Sequence, residues 1–419
     1  MPERMYQSGV RESEAMRAAI IEAVLSTVRQ DGLGDLTVRK IGTRLGVSPA
    51  LVNYHFGSQA LLIEEACIVA DQRIEAAWSD WTQLICDTSL REGDFEACLF
   101  AAIRDLHCRL DREHALQWHA LLRSIRAKAQ MSAHAGQRAA RIFWDRLLET
   151  AGVDKQLVAA LRAFSHGVGF GYLVTGDQWK FDPWAHRLCG QFALRLQGRP
   201  VNLDGDNAFR QSAASWNMAP TAPQSMHPTH VKIINAAVDI ILKDGAEAIT
   251  HRSVATSAGV SLSSVTHFIK GKEELLKQAH DALFQRTRSR TDTIRADKKP
   301  PSIEAMANSM FSPDTIDWSF LKDLAGTFGA MLTASVQESS RSHVEGTFAR
   351  FGDTSMDLLS RVAEEASGFG RLDAQIFSLC ASNIWFVQLL EGMEPSDELL
   401  MQNRSDMKKL IEILCIPKL

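Results

Sequence analysis

The sequence predicts an all-α fold built from two similar helical units in tandem. Long stretches carry apolar residues at helical spacing, one segment of the first half recurs in the second, and a stretch without helical period separates them. With 419 residues the chain is too long for one ordinary core. Its 45% hydrophobic and 23% charged residues are typical of a soluble globular protein, so we expect at least two folded domains.

The internal repeat aligns residues 20–66 with residues 233–279 without a gap. Identical residues cluster at turns and core positions, as where Gly46 recurs as Gly259. A Pro-, Ser-, Ala- and Asn-rich segment precedes the second copy and is typical of a linker. The predicted domains are residues 1–66 and 67–197, a linker at 198–227, and residues 228–279 and 280–419.

Each copy begins with the pattern of a helix-turn-helix. In the first copy Thr37 is expected to cap the second helix and Gly46 to end it. Ser48 is then a good N-cap and Pro49 a favourable first residue for a short third helix that ends near Phe56. Two short helices joined by a glycine turn, with a small polar outer face, fit the major groove of DNA.

The second copy repeats this pattern, with Thr250 as a cap, Gly259 at the turn and Ser261 as the next cap. An isolated pattern of this kind also occurs as a capped helix pair in an ordinary core. Two gapless copies, each at the start of its half, make that interpretation weaker. It stays open for one copy, most plausibly the second, which would then pack without reading DNA.

Residues 37–63 and 250–276 resemble the N-terminal signature of the TetR family of repressors. The resemblance rests on the threonine cap, the Gly-Val-Ser turn and, in the first copy, the His55-Phe56 pair. It implies a three-helix DNA-binding domain, followed by a helical ligand-binding and dimerisation domain, in each unit. The DNA contacts it implies are made by Thr37, Arg39, Ser48, Pro49, Ala50, Leu51, Asn53, Tyr54 and His55, and in the second copy by Thr250, Arg252, Ser261, Leu262, Ser263, Ser264, Thr266, His267, Phe268 and Lys272.

The sequence departs from the family pattern at two phosphate-contacting positions. At the first position the family has a tyrosine, whereas this chain has Asn53 in the first copy and Thr266 in the second. At the other position the family has a lysine, which the second copy keeps as Lys272 and the first copy replaces by Gln59. Phosphate neutralisation supplies much of the affinity for DNA, so we expect the second copy to contribute more of the salt dependence. The net charge of −4 means that any DNA contact depends on local groups.

The helical stretches after each copy are predicted to form the ligand-sensing and dimerisation regions that the resemblance implies. Aromatic and histidine side chains on these helices are candidates for an apolar effector pocket. They are Trp118, His119, Phe143, Trp144, His166 and Phe170. The alternative, and for each residue alone the commoner outcome, is that they fill the core.

Nothing in the helical stretches resembles a catalytic motif, and we expect neither an enzyme nor a bound cofactor. His107, Asp111 and His114 share one helical face and form the cluster worth testing as a metal or catalytic site. Such spacing is common among surface residues, so no metal site is predicted. A helical enzyme that uses this cluster, or a protein-protein adaptor, remains an alternative to the repressor.

Gly167, Gly169 and Gly171 lack the preceding strand of a dinucleotide-binding motif. Gly167 and Gly171, one turn apart, are instead expected to allow close helix packing in an interface with residues 183–196. Residues 375–393 and 397–416 are the matching segments of the second half. An intramolecular pseudo-dimer is therefore the leading hypothesis, and a homodimer of tandem chains is the alternative.

The remaining features point to a protein of the reducing cytoplasm. The seven cysteines are scattered and never spaced as a zinc or disulfide motif. The N-terminal segment is polar, and we expect no membrane-spanning segment. The expected partners are double-stranded operator DNA and a small-molecule effector.

Overall fold

We analysed the chain in a computed structural model that describes residues 2–88, 94–130, 134–175, 178–199, 227–289, 302–311 and 318–416. Throughout these ranges the regular structure is helical, with no strand. The all-α prediction is confirmed. The predicted linker lies outside the described residues from position 200 to position 226.

The first half contains nine α-helices in its described ranges. They are α1 (Pro2–Asp31), α2 (Val38–Leu45), α3 (Pro49–Phe56), α4 (Gln59–Asp87), α5 (Asp94–Arg109), α6 (Asp111–Ala127), α7 (Ala135–Thr150), α8 (Val158–Thr175) and α9 (Gln178–Gln197). Short 3-10 turns lie between α1 and α2, at Leu33–Asp35, and before α8, at Lys155–Leu157.

The second half continues with ten α-helices in its described ranges. They are α10 (Pro228–Asp244), α11 (His251–Ala258), α12 (Leu262–Phe268), α13 (Lys272–Ser289), α14 (Ile303–Met310), α15 (Trp318–Ser335), α16 (Glu338–Ala349), α17 (Asp353–Leu359), α18 (Arg371–Leu390) and α19 (Asp397–Cys415). A 3-10 turn at Ala246–Ala248 separates α10 from α11, as Leu33–Asp35 separates α1 from α2.

The first head, formed by α1, α2 and α3, folds as its caps predict. The Thr37 hydroxyl accepts the backbone N–H of the third residue of α2, and Gly46 ends that helix with a φ of 70°. The Ser48 hydroxyl caps α3 in the same way, with Pro49 as its first residue. The predicted limits of α3, Pro49 to Phe56, are confirmed.

The second head, formed by α10, α11 and α12, uses the same local chemistry. Thr250 and Ser253 form a reciprocal capping box at the start of α11, and Gly259 ends this helix with a φ of 63°. Ser261 caps α12 by accepting the backbone N–H of Ser264 at 3.0 Å. Each head has a small apolar core of its own, centred on buried isoleucines and valines.

The predicted boundaries between heads and sensor regions fall inside continuous helices. Position 66 lies within α4 and position 279 within α13. In each half, one long helix therefore leaves the head and enters the larger core. A movement of that helix is transmitted to the head without an intervening hinge loop.

The larger core is shared by both halves, and its centre is the pair α8 and α18. A Cβ added at Gly167 would lie 2.8 Å from the Asn383 amide nitrogen and 3.0 Å from a methyl group of Leu379, so the glycine permits the close approach. The Cys380 thiol also reaches the backbone oxygen of Ala160, at 3.3 Å. We name this shared apolar region, which runs from α4 to α19, the sensor core, after the ligand-sensing role that the sequence resemblance implies.

Buried polar contacts add to the packing between the halves. Arg195 on α9 forms a bidentate ion pair with Asp373 on α18, with both bonds at 2.9 Å. Arg162 on α8 pairs with Glu391 at 3.0 Å, and both side chains are at most 10% exposed. These contacts fix the register of the first-half helices on those of the second half.

Among the described residues, one helical stretch, from Lys155 to Thr175, is long and apolar enough to cross a bilayer by length and composition. Arg162 and His166 interrupt it, so it is not the uninterrupted apolar run whose absence we expected. In the structure 89% of its apolar window is buried inside the protein, mainly because α8 packs on α18. This burial is typical of the core helix of a soluble protein.

Candidate nucleic-acid interface and sensor core

The third helix of the first head buries one face and exposes the other. Val52 and Phe56 are 1% and 6% exposed and hold α3 on the head core. Asn53 and Tyr54 face the solvent, and Tyr54 is 81% exposed. An aromatic side chain this exposed at the surface of a short helix is available to a partner.

The predicted contact residues of the first head fall into two groups. Most are exposed, and they are Thr37, Arg39, Ser48, Pro49, Ala50, Asn53 and Tyr54. Leu51 and His55 are half-buried. The backbone oxygen of His55 accepts a hydrogen bond from Arg17, whose guanidinium lies 4.4 Å from the Phe56 ring. Arg17 therefore fixes the end of α3 on α1.

The predicted contact residues of the second head show the same division. Exposed are Thr250, Arg252, Ser261, Leu262, Ser263, Thr266, His267 and Lys272, whereas Ser264 and Phe268 are half-buried. The Phe268 ring stacks on His227 and His230, at centroid distances of 5.4 and 5.3 Å. These contacts turn Phe268 toward α10, so that the exposed face of α12 is small and polar apart from Leu262.

The residues at the two phosphate-contacting positions differ in what their side chains bind in the structure. The Gln59 amide donates to the backbone oxygen of Leu36 at 2.7 Å, so it is used inside the first head. Lys272 is exposed at the start of α13. The Thr266 hydroxyl bonds to backbone oxygens of its own helix, at 3.1 and 3.2 Å.

The heads touch each other at their 3-10 turns, Leu33–Asp35 and Ala246–Ala248, and we name this contact the head junction. It is close, because a Cβ added at Gly34 would lie 2.7 Å from the Cβ of Glu247. Arg126 at the end of α6 also reaches the Glu247 carboxylate, at 3.3 Å. Helix α6 thus contacts the second head at this point.

Residues 20–66 match the family model for bacterial regulatory proteins of the tetR family. This match supports a DNA-binding transcriptional regulator of the TetR family. It covers the first head from Ile20 onward and the start of α4 up to Ala66. A comparison with curated proteins found no match.

Ion pairs connect this TetR-type head to the sensor core. Arg29 on α1 donates to Asp111 on α6 at 2.8 Å. Arg73 on α4 bridges Glu22 on α1 and the buried Glu113 on α6. A shift of α4 or α6 therefore acts directly on α1, and hence on the head.

The six predicted effector residues lie in three separate places. Trp118, His166 and Phe170 come together in the sensor core, where the Trp118 ring lies 4.4 Å from His166 and 4.5 Å from Phe170. Second-half rings complete this cluster, with Phe328 stacked on Trp118 at 5.3 Å and an interplanar angle of 6°. The structure therefore brings only half of the predicted set together.

The other three residues are divided between a second aromatic cluster and the head junction. Phe143 and Trp144 pack on Trp78 of α4, at 5.0 and 5.3 Å. His119 lines a cleft beside the head junction that also includes Glu247. These rings are buried in packing contacts, which was the alternative interpretation of the pattern.

Three neighbouring histidines are buried at the centre of the first-half sensor region. Burial lowers the pKa of His114 to about 4 and that of His166 to about 3, and it also lowers the pKa of His107 well below its usual value. All three rings are therefore neutral at pH 7. His166 bonds to Asn383 of the second half at 3.1 Å.

Within the described residues, two buried polar atoms beside Trp118 have no hydrogen-bond partner. They are Nδ1 of His107 and the indole nitrogen of Trp118 itself, whereas the His114 and Gln117 side chains interact with each other. Buried polar atoms normally find a partner, because an unpaired one costs about 1–3 kcal/mol. This group of donors and acceptors among aromatic rings has the composition of a small-molecule site.

The alternative cluster of His107, Asp111 and His114 is not assembled. The two histidine rings lie 4.2 Å apart, but Asp111 turns to Arg29 on α1. The expected single helix is broken at Leu110, so His107 lies on α5 whereas Asp111 and His114 lie on α6. Asp111 belongs to the head contact, and His107 and His114 belong to the core.

A different cluster, which sequence reasoning missed, joins α13 and α16. His280 Nδ1 lies 3.3 Å from His343 Nε2, which in turn lies 3.3 Å from the Asp281 carboxylate. Burial lowers the pKa of His280 to about 4, so its ring is neutral. The two histidines are far apart in the chain, and neither is part of a recognisable motif.

Proposed function

We propose that the chain is a ligand-responsive transcriptional repressor that binds operator DNA through two non-identical heads. The proposal depends on one observation. Each half begins with three helices, and the third of these buries its apolar face and exposes its polar face. Such a helix, preceded by a second short helix and a glycine turn, is the form that enters a major groove.

The packing of the halves supports a single chain that supplies both heads, as an intramolecular pseudo-dimer. The α8 and α18 pair and the buried Arg195–Asp373 ion pair join the halves, and the head junction joins the heads. Light scattering of the free protein and of its DNA complex tests this arrangement. One chain per operator is the expected result, and two chains per operator would favour the homodimer.

The two reading surfaces differ in chemistry, so the operator should be an imperfect palindrome. The first offers Arg39, Asn53 and Tyr54, and the second offers Arg252, Thr266 and His267. Arginine reads guanine best, whereas hydroxyl groups discriminate weakly. A footprint with two equal half-sites would contradict this expectation.

We propose that the effector is a small molecule with an aromatic or apolar body that binds beside Trp118. Nδ1 of His107 and the indole nitrogen of Trp118 would then bond to its polar groups. An effector weakens DNA binding only by the amount that it binds the state with the wrong head spacing more tightly than the DNA-binding state. The route to the heads is short, because α6 carries Trp118, contacts α1 and ends at the head junction.

Binding to labelled fragments of the protein's own upstream region, with scrambled duplex as control, tests the proposal. Replacing Arg39 or Arg252 by alanine should each cost about 1–3 kcal/mol, or roughly 5- to 150-fold in affinity for the specific fragment. Arg187→Ala is the matched control, because this exposed arginine lies on α9, away from the heads.

Each head can fail this test separately. If Arg39→Ala weakens binding and Arg252→Ala does not, the second head is a packing unit. If the protein bound specific and scrambled duplexes equally, and salt weakened both complexes, it would bind DNA without recognising an operator. No binding even at low salt would favour a protein-protein adaptor.

A further inference from the structure

We propose that His280, Asp281 and His343 form a binding site for one divalent d-block cation such as Zn²⁺. Two of these residues lie on α13, the helix that leaves the second head, and the third lies on α16. Their donor atoms all lie within 4.8 Å of one another. Within the described ranges, this is the group of histidine, cysteine and acidic side chains that has metal-site geometry.

The distances between the donor atoms match the edges of a coordination polyhedron. The separations are 3.3 Å for His280 to His343, 3.3 Å for His343 to Asp281 and 3.9 Å for His280 to Asp281. A tetrahedral zinc ion with bonds of about 2.0–2.1 Å has its ligand atoms about 3.3–3.4 Å apart. A small closure of Asp281 would bring all three atoms to this spacing.

The donor set selects the class of cation. Two imidazole nitrogens and one carboxylate oxygen suit Zn²⁺, Co²⁺ or Ni²⁺, whereas Mg²⁺ and Ca²⁺ require mostly oxygen ligands. Asp281 supplies the negative charge, which offsets the positive charge of the neighbouring Arg350.

The burial of the site fits three protein ligands and one open position. His280 is 4% exposed at its side chain and His343 is 16% exposed, so their rings are held by packing. The Asp281 side chain is 32% exposed, which leaves access for a water molecule or another small ligand. A bound ion would cross-link α13 to α16 and thereby tie the helix of the second head to the sensor core.

Titration of tag-free, chelator-treated protein with Co²⁺ tests the site without any DNA. The cysteines are blocked beforehand, since Cys86 is exposed and would compete. We expect one Co²⁺ per chain, visible absorption bands of four-coordinate intensity, and a higher melting temperature with Co²⁺ or Zn²⁺. These readouts are independent of DNA binding, so their failure would leave the proposed function standing.

Variants locate the ion. His343→Gln should abolish the bands and weaken binding by at least about tenfold, and Asp281→Asn should weaken it while keeping the shape of the side chain. His186→Gln is the matched control, because this exposed histidine lies on α9. Unchanged Co²⁺ binding in both site variants, or no stoichiometric binding by the parent protein, would overturn the proposal. Melting curves of metal-free variants show whether each one folds.

Discussion

Replacing Arg195 by methionine should destabilise the contact between the two halves strongly. The Asp373 carboxylate is fully buried and accepts four hydrogen bonds, two from Arg195, one from Gln191 and one from the Gly370 backbone. Methionine keeps most of the side-chain volume but removes the cation and both of its bonds. The Arg195 guanidinium also donates to the backbone oxygen of Ser367, at 2.6 Å, and that bond is lost as well.

The size of the effect follows from these contacts. Hydrogen bonds to charged groups contribute about 1.5–3 kcal/mol each, and removing one partner of a buried ion pair costs about 3–5 kcal/mol. We therefore expect the free energy of unfolding of the sensor core to fall by about 3–5 kcal/mol. Arg146→Met is the matched control, since it breaks an exposed, solvent-screened ion pair with Glu149 and should leave the stability almost unchanged.

Urea unfolding followed by circular dichroism measures both values, and a double-mutant cycle tests the mechanism. Asp373→Leu combined with Arg195→Met removes both charges, so the double variant should lose much less than the sum of the single losses. Additive losses would show that the two side chains act independently. A loss below about 1 kcal/mol for Arg195→Met would refute the claim that a buried charge is left unpaired.

Three further variants test separate parts of the structure. Burial raises the pKa of Asp406 from 3.8 to about 6, so the folded chain binds more protons than the unfolded chain between these values, and stability falls as the pH rises through this window. Asp406→Asn should therefore raise the unfolding free energy at pH 7.5 by about 1–2 kcal/mol and flatten that decline, and an unchanged pH profile would contradict the assignment. Gly169→Ala should cost about 1–3 kcal/mol, because its Cβ would lie 2.1 Å from the His107 ring, whereas the control Gly329→Ala meets ordinary contact at 3.6 Å and should not destabilise the protein. Ser261→Ala removes the cap of α12 and should cost about 1 kcal/mol, seen as earlier melting of the second head, and a melting curve equal to that of the parent would show that the cap is dispensable.

The local features of the heads could be predicted from the sequence because they depend on neighbouring residues. A hydroxyl at Ser48, a proline after it and a glycine at position 46 determine where helices begin and end through bonds within one turn. The same chemistry operates at Ser261 and Gly259. Helix limits in both heads therefore followed from short-range capping.

The arrangement of the sensor region could not be predicted in the same way. The sequence predicts His107 and Asp111 on one helical face, but a helix break at Leu110 puts His107 at the end of α5, in the core, and Asp111 at the start of α6, where it contacts Arg29. The half-buried position of Phe268 depends on His227, the N-cap of α10, and on His230. Such contacts form between helices distant in sequence, and no short-range pattern records them.

The covalent connection between the halves has a kinetic and thermodynamic consequence. Two subunits on separate chains associate only above a concentration set by their dissociation constant, whereas the halves joined through α8 and α18 are always present at the same effective concentration. For a regulator that uses both heads, occupancy of its site would then rise with the first power of protein concentration. Such a regulator would need no assembly of separate chains before it binds.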